Sequence, residues 1–367
     1  MASLDHPPGA VIIQQDPLFW FFDGNVVLLF HGGIAFKVHK GVLAFHSEIF
    51  HDMFRQPLPS PSQAEAADQS IEGCPVVPLD DTPNDIVHLL LVMYGRNAEE
   101  VVYPVLAALL RVGDKYGAQA VVHKCVGFFM SMFPATLDHW EVAREYRHQI
   151  GFKDHDAIEV YNLFRRTGPS LRWPGPPPAP HPARPDMRPL KTPLPIALFL
   201  CAQLYEDVLR SGTRRADGTP ETLSEADLEC IVKMQGKLRR RGARIVSHAQ
   251  AFVFDPKDCE RSSSYVDPWR DTYADADSSD EDDRRDCGGE DECEDGYEEY
   301  FGERMTDEVE DVYLGGDLFD LWIRTRMVEV ENEGHVCGGC MDGMRDRHDE
   351  LRRRFWNELP ALAGMAK

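Results

Sequence analysis

The residues best suited to chemistry are His335-Val336-Cys337-Gly338-Gly339-Cys340. A Cys-x-x-Cys turn built on two glycines lets both thiolates face one ion, and His335 could add a third ligand. Tetrahedral zinc takes four ligands, so Cys259, Cys287 or Cys293 would have to reach the site across an acidic stretch. The alternative is a reduced turn with two incidental thiols; a thioredoxin-like redox role lacks the surrounding βαβ pattern. The expectation is therefore either no cofactor or one structural zinc on Cys337, Cys340 and His335. A second cluster is His39, His46 and His51, whose spacings of seven and five put no pair at the i, i+4 step of zinc helices. His39 reads as a structural donor, and His46 and His51 as surface or half-buried groups, rather than as a general base. No Gly-rich phosphate loop, Gly-x-Ser-x-Gly elbow or paired-carboxylate signature occurs, so no catalytic residue is assigned and no enzyme is expected.

The elements around these residues must come from a chain of 367 residues, 43% hydrophobic, with 26 Pro and 28 Gly. That is enough for two domains with substantial loop content. No apolar run reaches 18 residues, and Met1 to Gln15 holds no Lys or Arg ahead of Val11-Ile12-Ile13, so neither a membrane span nor a secretory signal is expected. The nine cysteines are read as thiols or metal ligands of a reducing compartment, cytoplasmic or nuclear. Net charge is −23, but Asp271 to Glu299 holds fifteen acidic residues against Arg284 and Arg285, a net −13. The balance argues against nucleic acid as a partner.

Along the chain, residues 1–16 are expected to be a flexible N-terminus. Pro17 to Val38 reads as strands with a hairpin at Gly32-Gly33, and His39 to Phe54 as two short helices with Ser47 capping the second. Gln56 to Ser70 is a loop, and Val76-Val77 with Leu79 a further strand. Thr82-Pro83-Asn84-Asp85 is a helix start, with the stop at Gly95. Helices around Leu106 and Val122 close residues 17–135, an α+β unit. Residues 136–168 are read as a helical extension, and 169–195, with eleven prolines from Pro169 to Pro195, as a linker or loop. Residues 196–258 are a helical region that opens on one stripe from Ile196 to Leu209. The acidic stretch 259–311 is read as a disordered insertion and 312–360 as a last helical segment. The basic clusters Lys237 to Arg244 and Arg352-Arg353-Arg354 are read as solvated helix faces that could also pair with the acidic stretch. Ser278-Ser279-Asp280-Glu281-Asp282 has the form of an acidic-directed kinase site or of a functionless solvated insertion.

Several segments in order resemble the BTB/POZ domain family. They are Asp23 to Leu28, Phe36 to Ala44, Ser47-Glu48-Ile49-Phe50 with Met53-Phe54, Val76 to Asp81, Leu89 to Gly95, and Asp114-Lys115-Tyr116-Gly117. Leu194 to Phe199, Asp217-Gly218, Leu223 to Asp227 and Trp356 to Pro360 are similar to a group of fungal BTB proteins with a helical C-terminal half. The resemblance implies a small β-sheet flanked by helices, followed here by a mainly α-helical region. It implies self-association, and roles as a ubiquitin-ligase adaptor on a cullin scaffold or in corepressor recruitment. Many members pair an acidic residue before the first strand with the basic residue after the histidine. Those positions are Asn25 and Lys40 here, a departure that bears on corepressor binding and the dimer's polar pair more than on the adaptor and scaffold roles.

Leu18-Phe19-Trp20-Phe21-Phe22 is more apolar surface than one half-buried strand hides on one face. Either the strand is covered on both sides or it anchors a dimer interface. Leu18, Phe19, Trp20, Phe21, Phe22, Asn25 and Lys40 are accordingly the candidate interface. The expected partners are a second copy of the chain, a cullin scaffold and a client. A nuclear transcriptional or chromatin regulator is the other reading.

Overall fold

The computed structural model describes residues 13–55, 70–96, 101–168, 190–250, 293, 295, 297, 318–319, 322–334 and 336–365. Five strands, β1 (Gln14–Trp20), β2 (Val26–Phe30), β3 (Ile34–Val38), β4 (Ser70–Ile71) and β5 (Cys74–Leu79), form a mixed sheet in the order β1-β3-β2-β5-β4. Gly32 and Gly33 turn the chain at φ of 85° and 84°, the left-handed region where side chains are strained. The antiparallel ladder then runs from Val26↔Val38 to Leu29↔Ala35. The two-residue period sorts the sheet's faces. Val26, Leu28, Phe30, Phe36 and Val38 enter the main core, while Val27, Ala35 and Cys74 form a small cluster on the other face.

Five helices flank the sheet: α1 (Lys40–His46) and α2 (Glu48–Arg55) between β3 and β4, then α3 (Pro83–Met93), α4 (Tyr103–Lys115) and α5 (Gln119–Met132) after β5. Their ends are set by the caps expected from sequence. Ser47 Oγ accepts the Phe50 N–H at 3.1 Å, Thr82 Oγ1 accepts that of Asp85 at 3.3 Å, and Gly95 leaves α3 at φ of 71°.

The helical half comprises α6 (Trp140–Gln149), α7 (Asp156–Arg166), α8 (Leu194–Cys201), α9 (Glu206–Ser211), a β6–β7 hairpin (Thr213–Arg214, Pro220–Glu221), α10 (Glu225–Gln250), α11 (Trp322–Asn332) and α12 (Gly338–Leu362). One continuous apolar core runs from Phe19 to Ala363, so the two halves fold on each other. Phe164 of α7 meets Phe129 and Phe133 edge-on at 5.5 and 5.1 Å. Further along, Trp140, Phe199, Phe319 and Trp356 make a four-ring cluster with centroids 5.1–5.9 Å apart.

A charged seam crosses the same boundary. Arg111 Nε and Nη2 donate to Asp85 at 2.7 and 3.1 Å, and its Nη1 donates to Glu159 of α7 at 2.7 Å. Glu159 also accepts from the Tyr103 hydroxyl at 3.2 Å, and Arg215 lies 3.9 Å away. Arg215 in turn pairs with Glu221, which takes Asn162 Nδ2 at 2.8 Å.

Several sequence expectations are corrected. β1 begins at Gln14, so residues 14–16 are strand rather than flexible terminus, and Ser70 belongs to β4. The stripe from Ile196 to Leu209 is two helices, because the chain turns at Ala202–Tyr205. Arg352 is not on a solvated face. It is 5% exposed and donates to the Phe319 carbonyl at 2.7 Å and to Glu141 at 3.1 Å, since it shares its helix face with His348, Phe355 and Trp356. Arg241 pairs with Glu358 at 2.7 Å, and most of the acidic stretch lies outside the described residues. Most of 169–195 and 259–311, with the Ser278–Asp282 motif, lies outside the described residues. Within 259–311, Cys293, Asp295 and Tyr297 are helical, and Cys293 and Tyr297 are buried, against the expected disorder.

Candidate interaction surface

The apolar run at the sheet edge divides by alternation. Phe19 is fully buried against Phe36 at 5.8 Å and Tyr94 at 6.1 Å, making it a core residue of its own chain rather than an interface anchor. Phe21 is half-buried and stacks on Tyr94 at 5.0 Å. Trp20 packs against the small cluster on the opposite face. Leu18 is 41% and Phe22 93% exposed. β1 is an edge strand. It meets β3 only at Gln14↔Ile34, Gln15↔Ala35 and Trp20↔Lys37, with a register shift between, and its other side has no strand neighbour among the described residues. Such an edge offers unpaired backbone groups to another chain.

A second exposed apolar set, missed from sequence, lies on α1 and α2. Phe45 is 84% exposed, Ile49 47% and Met53 37%. Ile49 and Met53 are one turn apart on the outer face of α2. Phe50 points inward and stacks flat on Tyr116 at 4.7 Å, with Phe54 half-buried at 5.9 Å from it. The signal was present in the spacing 49, 50, 53, 54, which is two adjacent stripes on an eight-residue helix. One core contact buries only one of them.

Asn25 and Lys40 are brought together, but not as a charge pair. Asn25 Oδ1 accepts the Lys40 backbone N–H at 2.8 Å, at the start of α1, and Lys40 Nζ sits 5.8 Å over the Phe54 ring. Nearby, Tyr94 Oη accepts the His39 backbone N–H at 3.1 Å and hydrogen-bonds with His39 Nδ1, 2.9 Å away. The other ring nitrogen, Nε2, faces Asp23 at 3.2 Å. His39, at the start of α1, is thus tied to Tyr94 at the end of α3 and to Asp23 in the turn before β2. Burial pushes the Tyr94 hydroxyl above its ordinary value, which keeps it neutral.

The remaining chemical groups are placed as follows. Burial pushes the Cys125 thiol up to about 12, and Cys201 is raised likewise, so both are protonated and poor nucleophiles. A cavity of about 510 Å³ between α6, α8 and α9 is lined by Trp140, Arg147, His148, Leu204 and Tyr205 among others. Arg147 there is engaged structurally, donating to the Met132 carbonyl at 2.6 Å beneath the Trp140 ring. His39, His46 and His51 do not form a three-ligand group. Cys337 and Cys340 do meet a third ligand, and among the described residues it is Cys293, with the three ligand atoms within 4.8 Å of one another. His335 lies outside the described residues.

No curated protein matches this chain. The model of the BTB/POZ domain family matches residues 22–132, which hold β2 through α5 with the sheet and helices just described. The chain carries a BTB/POZ domain in residues 22–132, a protein–protein interaction module, continued by a mostly helical C-terminal half.

Proposed function

We propose that this protein is a self-associating scaffold whose BTB/POZ domain joins two copies through β1 and the outer faces of α1 and α2. In its more specific form it is an adaptor that presents clients to a cullin-type ubiquitin ligase from the cytoplasm or nucleus. The observation that carries the reading is the exposure of Phe22 and Phe45 beside Leu18, Ile49 and Met53. Large apolar side chains of this kind supply most of the binding energy once desolvated, and an edge strand beside them adds backbone pairing. The adaptor form is favoured over corepressor recruitment because the side chain at position 25 is an amide that accepts the Lys40 N–H, not a carboxylate. The shared core supports rigid presentation: a client held by α8 to α12 would be fixed relative to the domain.

The test is retention of purified BTB-binding cullin by the immobilised full chain, compared with Phe45→Asp/Ile49→Asp. A 1–135 fragment is unsuitable, since it would expose the rings that Phe164 covers. Retention of cullin by the wild type supports the adaptor form. No retention leaves a scaffold without a ligase and removes the cullin from the account.

A further inference from the structure

We infer that Cys293, Cys337 and Cys340 are three ligands of a structural zinc site that pins the end of the acidic stretch to the start of α12. The three side-chain ligand atoms lie within 4.8 Å of one another, and all three residues are buried, at 0%, 8% and 2% exposure. In a tetrahedral site with Zn–S near 2.3 Å, two sulfurs stand roughly 3.8 Å apart, so small side-chain movements bring the set onto one ion. Among the described residues no disulfide links these cysteines, and a disulfide could use only two of them.

The local backbone suits thiolate ligands. Cys337 is the N-cap of α12, with φ −74° and ψ 160°, and Gly338 and Gly339 form the first turn before Cys340. Backbone N–H groups at a helix start lower the energy of negative sulfur, and the glycines place no side chain between the two thiols. Cys293 arrives from 44 residues earlier in the chain, and Tyr297, one helical turn on, is buried beside Ile323, Met327 and Met344. A metal bound here would close that loop and so stabilise the α11–α12 pair, as structural zinc does elsewhere. The chemistry selects a thiophilic divalent cation over Mg²⁺ or Ca²⁺, which prefer oxygen ligands. Each cysteine gives up its proton on binding, so zinc affinity falls with falling pH.

The experiment is zinc content by elemental analysis of the full chain purified under reducing conditions, with Cys293→Ser and, as a distant control, Cys74→Ser. About one zinc per chain is expected in the wild type and the control. Cys293→Ser is expected to weaken zinc binding by on the order of tenfold or more, since loss of even an outer-shell partner costs that much. Exchange of cobalt into the wild-type chain gives a reading independent of how well the variant folds. A thiolate-to-cobalt charge-transfer band with intense tetrahedral visible bands supports the site. A wild type that takes up neither metal overturns the inference, as does a Cys293→Ser chain that keeps full zinc.

Discussion

Arg111 donates to Glu159 at 2.7 Å while its other two nitrogens hold Asp85, so one guanidinium of the BTB/POZ domain clamps a carboxylate of the helical half. All three side chains are nearly or wholly inside the protein, with 14%, 6% and 4% of their surface exposed. Burial raises the Glu159 carboxyl, and Arg111 first, then Arg215, oppose the rise. Arg111→Leu leaves Asp85 and Glu159 buried without the guanidinium that bridges them, with Arg215 at 3.9 Å the cation that remains beside Glu159. It is expected to cost about 3–5 kcal/mol. Arg111→Lys should recover only part, because an ammonium cannot reproduce the fork. Denaturant unfolding of the three chains checks this; equal midpoints would show that the seam contributes nothing.

The shared core gives a second expectation. Trp356→Ala removes the ring that meets Trp140 and Phe319 at 5.9 and 5.3 Å. A loss of about 3–5 kcal/mol is expected. Because the core is continuous, the loss should appear as one shifted transition rather than as selective melting of the C-terminal half. Two separate transitions by fluorescence and far-UV circular dichroism would contradict a single folding unit.

Tyr94→Phe deletes a hydroxyl that accepts the His39 backbone N–H at 3.1 Å and hydrogen-bonds with its ring Nδ1 at 2.9 Å. The expected cost is about 1–3 kcal/mol, since a partly buried N–H is left without its acceptor. The imidazole should also lose its Nδ1 hydrogen bond, which nitrogen-15 chemical shifts of His39 report. Unchanged stability and unchanged shifts would show the contact to be incidental.

The pH dependence of stability should carry a signature of Glu221. Burial alone pushes this carboxyl up, but Arg215, Asn162 and Arg166 together hold it below its ordinary value of 4.5. A carboxyl lowered by folding contributes stability that is present above that value and lost as pH falls through the folded value. Glu221→Gln should therefore be less stable than wild type at neutral pH, with the gap closing under acid conditions. A gap that is constant with pH would mean the charge of Glu221 is not what the arginines hold.

Local signals were the legible part of this fold. Thr82-Pro83 opens α3, Gly32-Gly33 turns the hairpin, and Ser47 caps α2, because each rests on a few neighbouring residues. What sequence could not show depends on distant partners. The break at Ala202–Tyr205 has no Gly or Pro to mark it, and the Gln235 amide that donates to the Ala202 and Leu204 carbonyls lies about thirty residues on. Arg352 reads as one of three surface arginines until Phe319 and Glu141 are placed over it. Of the three named possibilities, Cys293 is the one among the described residues, and only the fold shows it meeting Cys337 and Cys340; Cys259 and Cys287 lie outside the described residues. Phe45, Ile49 and Met53 went unnoticed because apolar periodicity cannot tell a face packed within the chain from one left exposed.

The claim that the BTB/POZ domain joins two copies is tested most directly by the mass of the full chain in solution. Light scattering would be run on wild type and on Phe22→Asp/Phe45→Asp, two side chains that contribute little to their own core. The account expects twice the 41.6 kDa chain mass for the wild type and a folded monomer for the variant. A wild type that stays monomeric at high concentration, or a variant that remains a dimer, would contradict it.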